Sequence, residues 1–273
     1  MTYAPNLGTP EDTLEDVIFP PSDLLSDEPP LESYLHLQQL LLLLKCLDWC
    51  WHPGGPTARD DYFAAGNLTI YYSPRQRKSE QFRGPDFFVV LGTERKPRKS
   101  WVVWEEEGKY PNIIVELLSP STADTDRGLK KQIYQDIFRT PDYFWFDPDR
   151  LEFAGFHLVD GHYEPLERNP QGWLWSQQLQ LFLGIHAAQL RFFTVEGQLV
   201  PTPEESAEEE RQRAGQERQR AEQERQRAEQ EQQRAEQEQQ RAEQEQQRAE
   251  QEQQRADRLA AKLRELGVDP SKI

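Results

Sequence analysis

Two apolar runs, each carrying one carboxylate, constrain this chain more than any other feature. They are Pro85-Asp86-Phe87-Phe88-Val89-Val90-Leu91 and Ile113-Ile114-Val115-Glu116-Leu117-Leu118. Both are nearly all apolar, as expected for central strands covered on both faces. The 30 positions from Asp86 to Glu116 leave room for a hairpin between neighbouring strands. A carboxylate inside Val-Glu-Leu-Leu is costly to bury alone, and two side by side repel unless a cation sits between them. Paired carboxylates with oxygen-only ligation suit Mg²⁺ or Mn²⁺. The segment Asp126-Arg127-Gly128-Leu129-Lys130-Lys131 follows. Two acids, a divalent metal and a lysine are the components of a phosphodiester-cleaving site.

Charge argues against a generic basic nucleic-acid binder. The net charge is −16; residues 203–273 hold 19 acidic and 14 basic side chains, which leaves −11 on the rest. The surplus is uneven. Residues 75–99 hold Arg75, Arg77, Lys78, Arg83, Arg95, Lys96, Arg98 and Lys99 against Glu80, Asp86 and Glu94. This basic stretch flanks Asp86, where a phosphate backbone would approach; a solvated hairpin with ordinary surface charge reads equally well. Cys46 and Cys50, four apart beside His52, suit helix packing better than a metal site. Two cysteines make no disulfide framework, so a reducing cytoplasmic setting is expected. The N-terminus is acidic and Pro-rich rather than signal-like, and Leu40–Leu44 is too short to span a bilayer.

The chain divides by composition. Residues 1–30, rich in Pro, Asp and Glu, are expected to lack fixed structure. Residues 31–202 form the folded domain. It opens with a helix over 31–51 whose apolar face is read as Leu31, Tyr34, Leu35, Leu37, Leu41, Leu42, Leu44 and Leu47. Strands are predicted at 67–72, 86–91, 101–105, 113–118 and 143–146, with a helix from Thr125 or Asp126 to Phe138. A hairpin at 151–168 turns on Asp160-Gly161, and short strands follow at 179–183 and 190–200. The fold class is α/β or α+β, a mixed sheet flanked by helices.

Residues 203–267 repeat Arg-Ala every seven positions, with Ala at 214, 221, 228, 235, 242, 249 and 256. Glu, Gln, Arg and Ala favour helix, and Glu–Arg pairs three apart support it. As a coiled-coil seam it is poor, because the position three after each Ala is mostly Glu; only Leu259, Leu263 and Leu266 improve it. Gly267 and Pro270 stop the helix, and 268–273 is a tail.

Four ordered motifs, Gly84-Pro85-Asp86-Phe87-Phe88-Val89, Val115-Glu116-Leu117-Leu118-Ser119-Pro120-Ser121-Thr122, Asp126-Arg127-Gly128-Leu129-Lys130-Lys131-Gln132-Ile133-Tyr134 and Tyr143-Phe144-Trp145-Phe146-Asp147-Pro148, resemble the Uma-two family of the PD-(D/E)XK nuclease superfamily over roughly residues 30–200. The resemblance implies a restriction-endonuclease-like core with Asp86, Glu116 and the Leu117 backbone carbonyl holding Mg²⁺ or Mn²⁺. The superfamily lysine two residues after the Glu is Leu118 here, and the family's lysine matches Lys130, with Tyr134 one turn on. Glu32 and His36, at the start of the first helix, are candidates for an accessory acid or proton-transfer group. Arg75, Arg77, Lys78, Arg83 and Lys131 are candidate DNA contacts. Ser121 and Thr122 suit a turn better than a phosphate site.

Two functions are therefore expected to compete. One is a metal-dependent endonuclease acting on DNA. The other is a nuclease-fold scaffold without activity that assembles through its C-terminal helix. A homodimer through the folded domain, and a helical partner for the tail, both remain open.

Overall fold

A computed structural model describes residues 24–28, 30–31, 33–55, 57–73, 84–119 and 126–265. Glu32, Arg75, Arg77, Lys78, Arg83, Ser121, Thr122, Leu266, Gly267 and Pro270 lie outside the described residues. The chain forms two units, Met1–Ser206 and Ala207–Ile273.

The first unit is a mixed α/β fold. Helix α1 (Tyr34–Trp51) is followed by β1 (Tyr62–Gly66), β2 (Ile70–Tyr71), β3 (Phe87–Leu91), β4 (Trp101–Val102) and β5 (Ile113–Leu117). Helix α2 follows, built from Asp126–Lys130, Lys131–Ile133 and Tyr134–Phe138. Next come β6 (Asp142–Asp147), β7 (Glu152–Val159), β8 (His162–Pro165), β9 (Leu174–Ser176), β10 (Leu181–His186), β11 (Gln189–Phe193) and helix α3 (Pro203–Glu265). The main sheet has the order β1-β3-β5-β6-β7-β8. Its pairs are antiparallel except β5–β6, where Ile113 faces Asp142 and Leu117 faces Phe146.

The two carboxylate-bearing runs are adjacent central strands, as expected, with Phe87 opposite Val115 and Val89 opposite Ile113. Because side chains alternate along a strand, the sheet has two cores. Phe87, Val89, Ile113, Val115, Leu117, Phe144 and Phe146 pack with α1 and the small β9–β11 sheet. Phe88, Val90, Ile114 and Tyr143 pack on the other face with Tyr134 and Phe138 of α2 and Trp101 of β4. Burial of each such side chain stabilises by about 1.5–3 kcal/mol.

Several elements differ from expectation. Helix α1 starts at Tyr34, where the Ser33 hydroxyl accepts the His36 N–H as its cap. Its buried face is His36, Gln39, Leu40, Leu43, Cys46, Leu47, Cys50 and Trp51, whereas Tyr34, Leu35, Leu37 and Leu41 are exposed. The leucine run surrounds the helix, so hydrophobicity alone could not choose a face. Gln39 decides part of it, donating to the Leu190 carbonyl and accepting the Leu190 N–H as a neighbouring strand would. Helix α2 is α-helical only at Lys131–Ile133 and π-helical on both sides. The strand predicted at 101–105 stops at Val102, whose carbonyl takes the Glu105 and Glu106 N–H groups in a turn. β1 and β9 had no predicted counterpart. Residues 24–28, inside the stretch expected to lack structure, are tied down: the Leu24 carbonyl takes Ser100 Oγ–H, the Leu25 carbonyl takes Tyr71 O–H, and Ser26 meets Thr69.

In the second unit, α3 is exposed from Ala207 to Leu259. Its regularity comes from contacts along its own surface, including Gln232 to Glu236, Gln239 to Glu243, Gln246 to Glu250 and the Arg225–Glu229 ion pair. Such exposed pairs each contribute only a few tenths of a kcal/mol. Among the described residues no helix is long and apolar enough to cross a membrane.

Candidate active site

Alternation puts Asp86 on the face of Phe88 and Val90, and Glu116 on the face of Ile114. Both carboxylates therefore stand beneath α2. Glu116 has no solvent exposure. Its Oε1 accepts the Tyr134 hydroxyl at 2.6 Å and its Oε2 accepts Lys130 Nζ at 3.0 Å. Lys130 and Tyr134, four apart, share the inner face of α2. The Asp86 N–H approaches Glu116 Oε2 at 3.4 Å, and Asp86 Oδ2 accepts the Leu117 N–H at 2.7 Å. Each acid is thus bonded to the backbone around the other.

The electrostatics follow from this packing. Burial pushes the Glu116 carboxyl up to about 7; Lys130 opposes the rise, Asp86 adds to it, and the Tyr134 hydrogen bond opposes it. The two neutralising groups do not offset the loss of water. A cation between the acids would.

Asp86 is itself held from upstream. Glu28 Oε1 accepts the Gly84 N–H at 2.5 Å and the Thr69 hydroxyl at 2.8 Å. A Cβ at Gly84 would lie 2.4 Å from the Leu68 carbonyl oxygen, so glycine alone fits there. Sequence reasoning missed Glu28, because it belongs to an acidic stretch with no periodic pattern.

From the other face, His36 Nε2 lies 2.8 Å from the Leu117 carbonyl oxygen, and His36 Nδ1 lies 2.9 Å from Ser33 Oγ. Asp86, Glu116, Leu117, Lys130, Tyr134 and His36 therefore converge on one place. Among the described residues no group of three or more His, Cys, Asp or Glu forms a metal cluster. The oxygen donors present are two carboxylates and one carbonyl. That set suits a hard divalent ion that keeps several waters.

Other candidates fall elsewhere. Lys131 Nζ sits 3.4 Å from the centre of the Phe156 ring, and burial lowers its pKa. Arg98 lies over Phe63 and Trp101 and is paired with Glu106, and Arg95 is paired with Asp48. These members of the basic stretch are engaged in the fold. Cys46 and Cys50 are buried free thiols, and burial raises the Cys46 pKa to about 11.

A family profile described as Uma2, "Putative restriction endonuclease", matches residues 25–190, more than half of the chain. The chain belongs to this family. Among solved structures, a "putative nuclease belonging to DUF820" from Anabaena variabilis is similar at 13% identity, over 56% of this chain and 76% of that one, with a TM-score of 0.39. No curated protein matches the chain.

Proposed function

We propose that this protein is a divalent-metal-dependent nuclease that hydrolyses phosphodiester bonds in DNA. The observation that carries this reading is the fully buried Glu116, hydrogen-bonded to Lys130 Nζ at 3.0 Å and placed against Asp86. A fully buried acid beside a second, partly buried one and a lysine is an expensive arrangement for stability alone.

Asp86, Glu116 and the Leu117 carbonyl are the residues that would hold Mg²⁺ or Mn²⁺. When bound, the ion supplies a lowered pKa for water and charge stabilisation at the scissile phosphate. The chain's own groups do the rest. Tyr134 fixes the orientation of the Glu116 carboxylate through a buried hydrogen bond. Lys130 carries a positive charge, mostly shielded from solvent, to the place where negative charge on a phosphate would grow. The family description supports DNA as substrate.

The test is cleavage of supercoiled and linear DNA by the full-length protein with Mg²⁺ or Mn²⁺. The native protein is expected to cleave only with metal, and Glu116→Ala to lose at least ~100-fold of the rate. Undiminished cleavage by Glu116→Ala, or none by the native protein, would contradict the reading. A nuclease-fold scaffold without activity is the second reading; Leu118, two residues after Glu116, is the observation in its favour.

A further inference from the structure

The Leu117 carbonyl owes its position to a proline and a histidine. In the β3–β5 ladder Phe87 faces Val115 and Phe88 faces Ile114. Continuing that register would set Asp86 against Glu116 and Pro85 against Leu117. Proline has no N–H to give. The ladder stops here: the Leu117 N–H goes to Asp86 Oδ2, and its C=O is left for a donor from outside the sheet. That donor is His36, 95% buried on α1, with Nε2 at 2.8 Å.

A carbonyl oxygen only accepts, so Nε2 carries the proton. In the neutral ring Nδ1 then accepts, and its partner is the Ser33 hydroxyl at 2.9 Å. The Ser33 oxygen also accepts the His36 N–H. Both ring nitrogens are thereby engaged, and the ring's orientation is set by the first residues of α1.

We propose that His36 is a positioning residue for a divalent cation. Its Nε2–H takes one lone pair of the Leu117 carbonyl and fixes the peptide plane, so that the other lone pair is presented to the ion held by Asp86 and Glu116. This rests on the metal-dependent nuclease reading. It assigns His36 an orienting role in place of proton transfer, because neither nitrogen is available to a water.

The test is calorimetric titration of Mn²⁺ into the full-length, metal-stripped native protein, His36→Gln and His36→Leu, each checked for folding by circular dichroism. Glutamine can place an amide N–H near the Nε2 position, whereas leucine cannot donate. The native protein is expected to bind Mn²⁺. His36→Leu is expected to bind roughly 10- to 100-fold more weakly, the range for loss of a group that orients a metal ligand. His36→Gln is expected to stay within about threefold of native, the spread of context effects on one hydrogen bond. Should His36→Leu not fold, His36→Met takes its place with the same expectation. Equal affinity in all three proteins would overturn the positioning role and leave the metal site standing. Equal weakening by Gln and Leu would also overturn it, because the N–H would then not be what matters. No Mn²⁺ binding by the native protein would remove the nuclease reading and this inference with it.

Discussion

Two buried carboxylates stand at opposite ends of the parallel strand pair of the main sheet, β5–β6, and they are treated in opposite ways. Asp142 opens β6 on the face toward the β9–β11 sheet. Its Oδ1 meets His157 Nδ1 at 2.7 Å, and its Oδ2 accepts the Ser176 hydroxyl at 2.6 Å and the Gln178 N–H at 3.0 Å. Glu116 lies near the end of β5 on the face toward α2, beside Asp86 and Lys130. Asp142 has three donors and no acidic neighbour among these contacts. Glu116 faces a second carboxylate, and burial pushes its pKa to about 7. The first arrangement joins strands β6, β7 and β9. The second holds unfavourable charge in place at the carboxyl end of a parallel strand, where open α/β sheets place their ligands. Ser176, His157 and Asp142 do not form a nucleophilic triad, because the fully buried Ser176 hydroxyl donates to the acid rather than to the imidazole.

The comparison predicts separable effects. Asp142→Ala leaves His157, the Ser176 hydroxyl and the Gln178 N–H without their acceptor. It should cost about 3–5 kcal/mol, read as a lower urea midpoint, and metal should not rescue it. A loss under 1 kcal/mol would mean that Asp142 is not structural.

Lys130→Ala should slow cleavage by about 100-fold while leaving DNA binding nearly unchanged. Lys131→Ala should change cleavage little, since its ammonium rests on Phe156. Equal losses from both would indicate a general basic surface. Tyr134→Phe removes one donor to Glu116 and should cost about 1–3 kcal/mol of stability at pH 8, shrinking toward pH 5 as Glu116 is protonated.

The smallest effect belongs to the tail. A fragment ending at Ser206 should melt within about a degree of the full chain, because α3 beyond that point is exposed. The cut must spare Glu205, which pairs with the buried Arg191 at 2.6 Å. Ending the chain at 202 would strand that guanidinium and lower the melting temperature by several degrees.

How much of this was legible in the sequence follows from the physics of each element. The strands β3, β5 and β6 were legible, and with them Asp86 and Glu116, because short apolar runs rich in β-branched and aromatic residues suit the centre of a sheet. The β7–β8 hairpin was legible from Asp160-Gly161, both of which adopt positive φ. Lys130 Nζ lies 3.0 Å from Glu116 Oε2, and the catalytic role that the resemblance implied for it is a proposal. The burial of His36 was not legible, since a polar residue among leucines reads as an exposed one until its acceptor is known. Nor was Glu28, whose partners Thr69 and Gly84 are more than 40 residues away. The π winding of α2 has no sequence signature, and the three-residue β9 is too short for a period to register. Asp142 was hidden because its partners lie 15, 34 and 36 residues downstream.

The most direct measurement is thermal unfolding of the native protein and Glu116→Gln at pH 5 and pH 8, with and without millimolar Mn²⁺. The folded pKa of Glu116 is raised from 4.5 to about 7. Its contribution to stability is therefore fully present below pH 4.5 and is lost as the pH rises through about 7. Without metal the native protein should be less stable at pH 8 than at pH 5 through this group, and Glu116→Gln should flatten that difference. At pH 8, Mn²⁺ should raise the native melting temperature by about 5 °C or more, as expected for an ion at 100 times its dissociation constant, and should leave Glu116→Gln unchanged. A native protein indifferent to Mn²⁺, or a Glu116→Gln variant stabilised just as much, would contradict a metal site at Asp86 and Glu116.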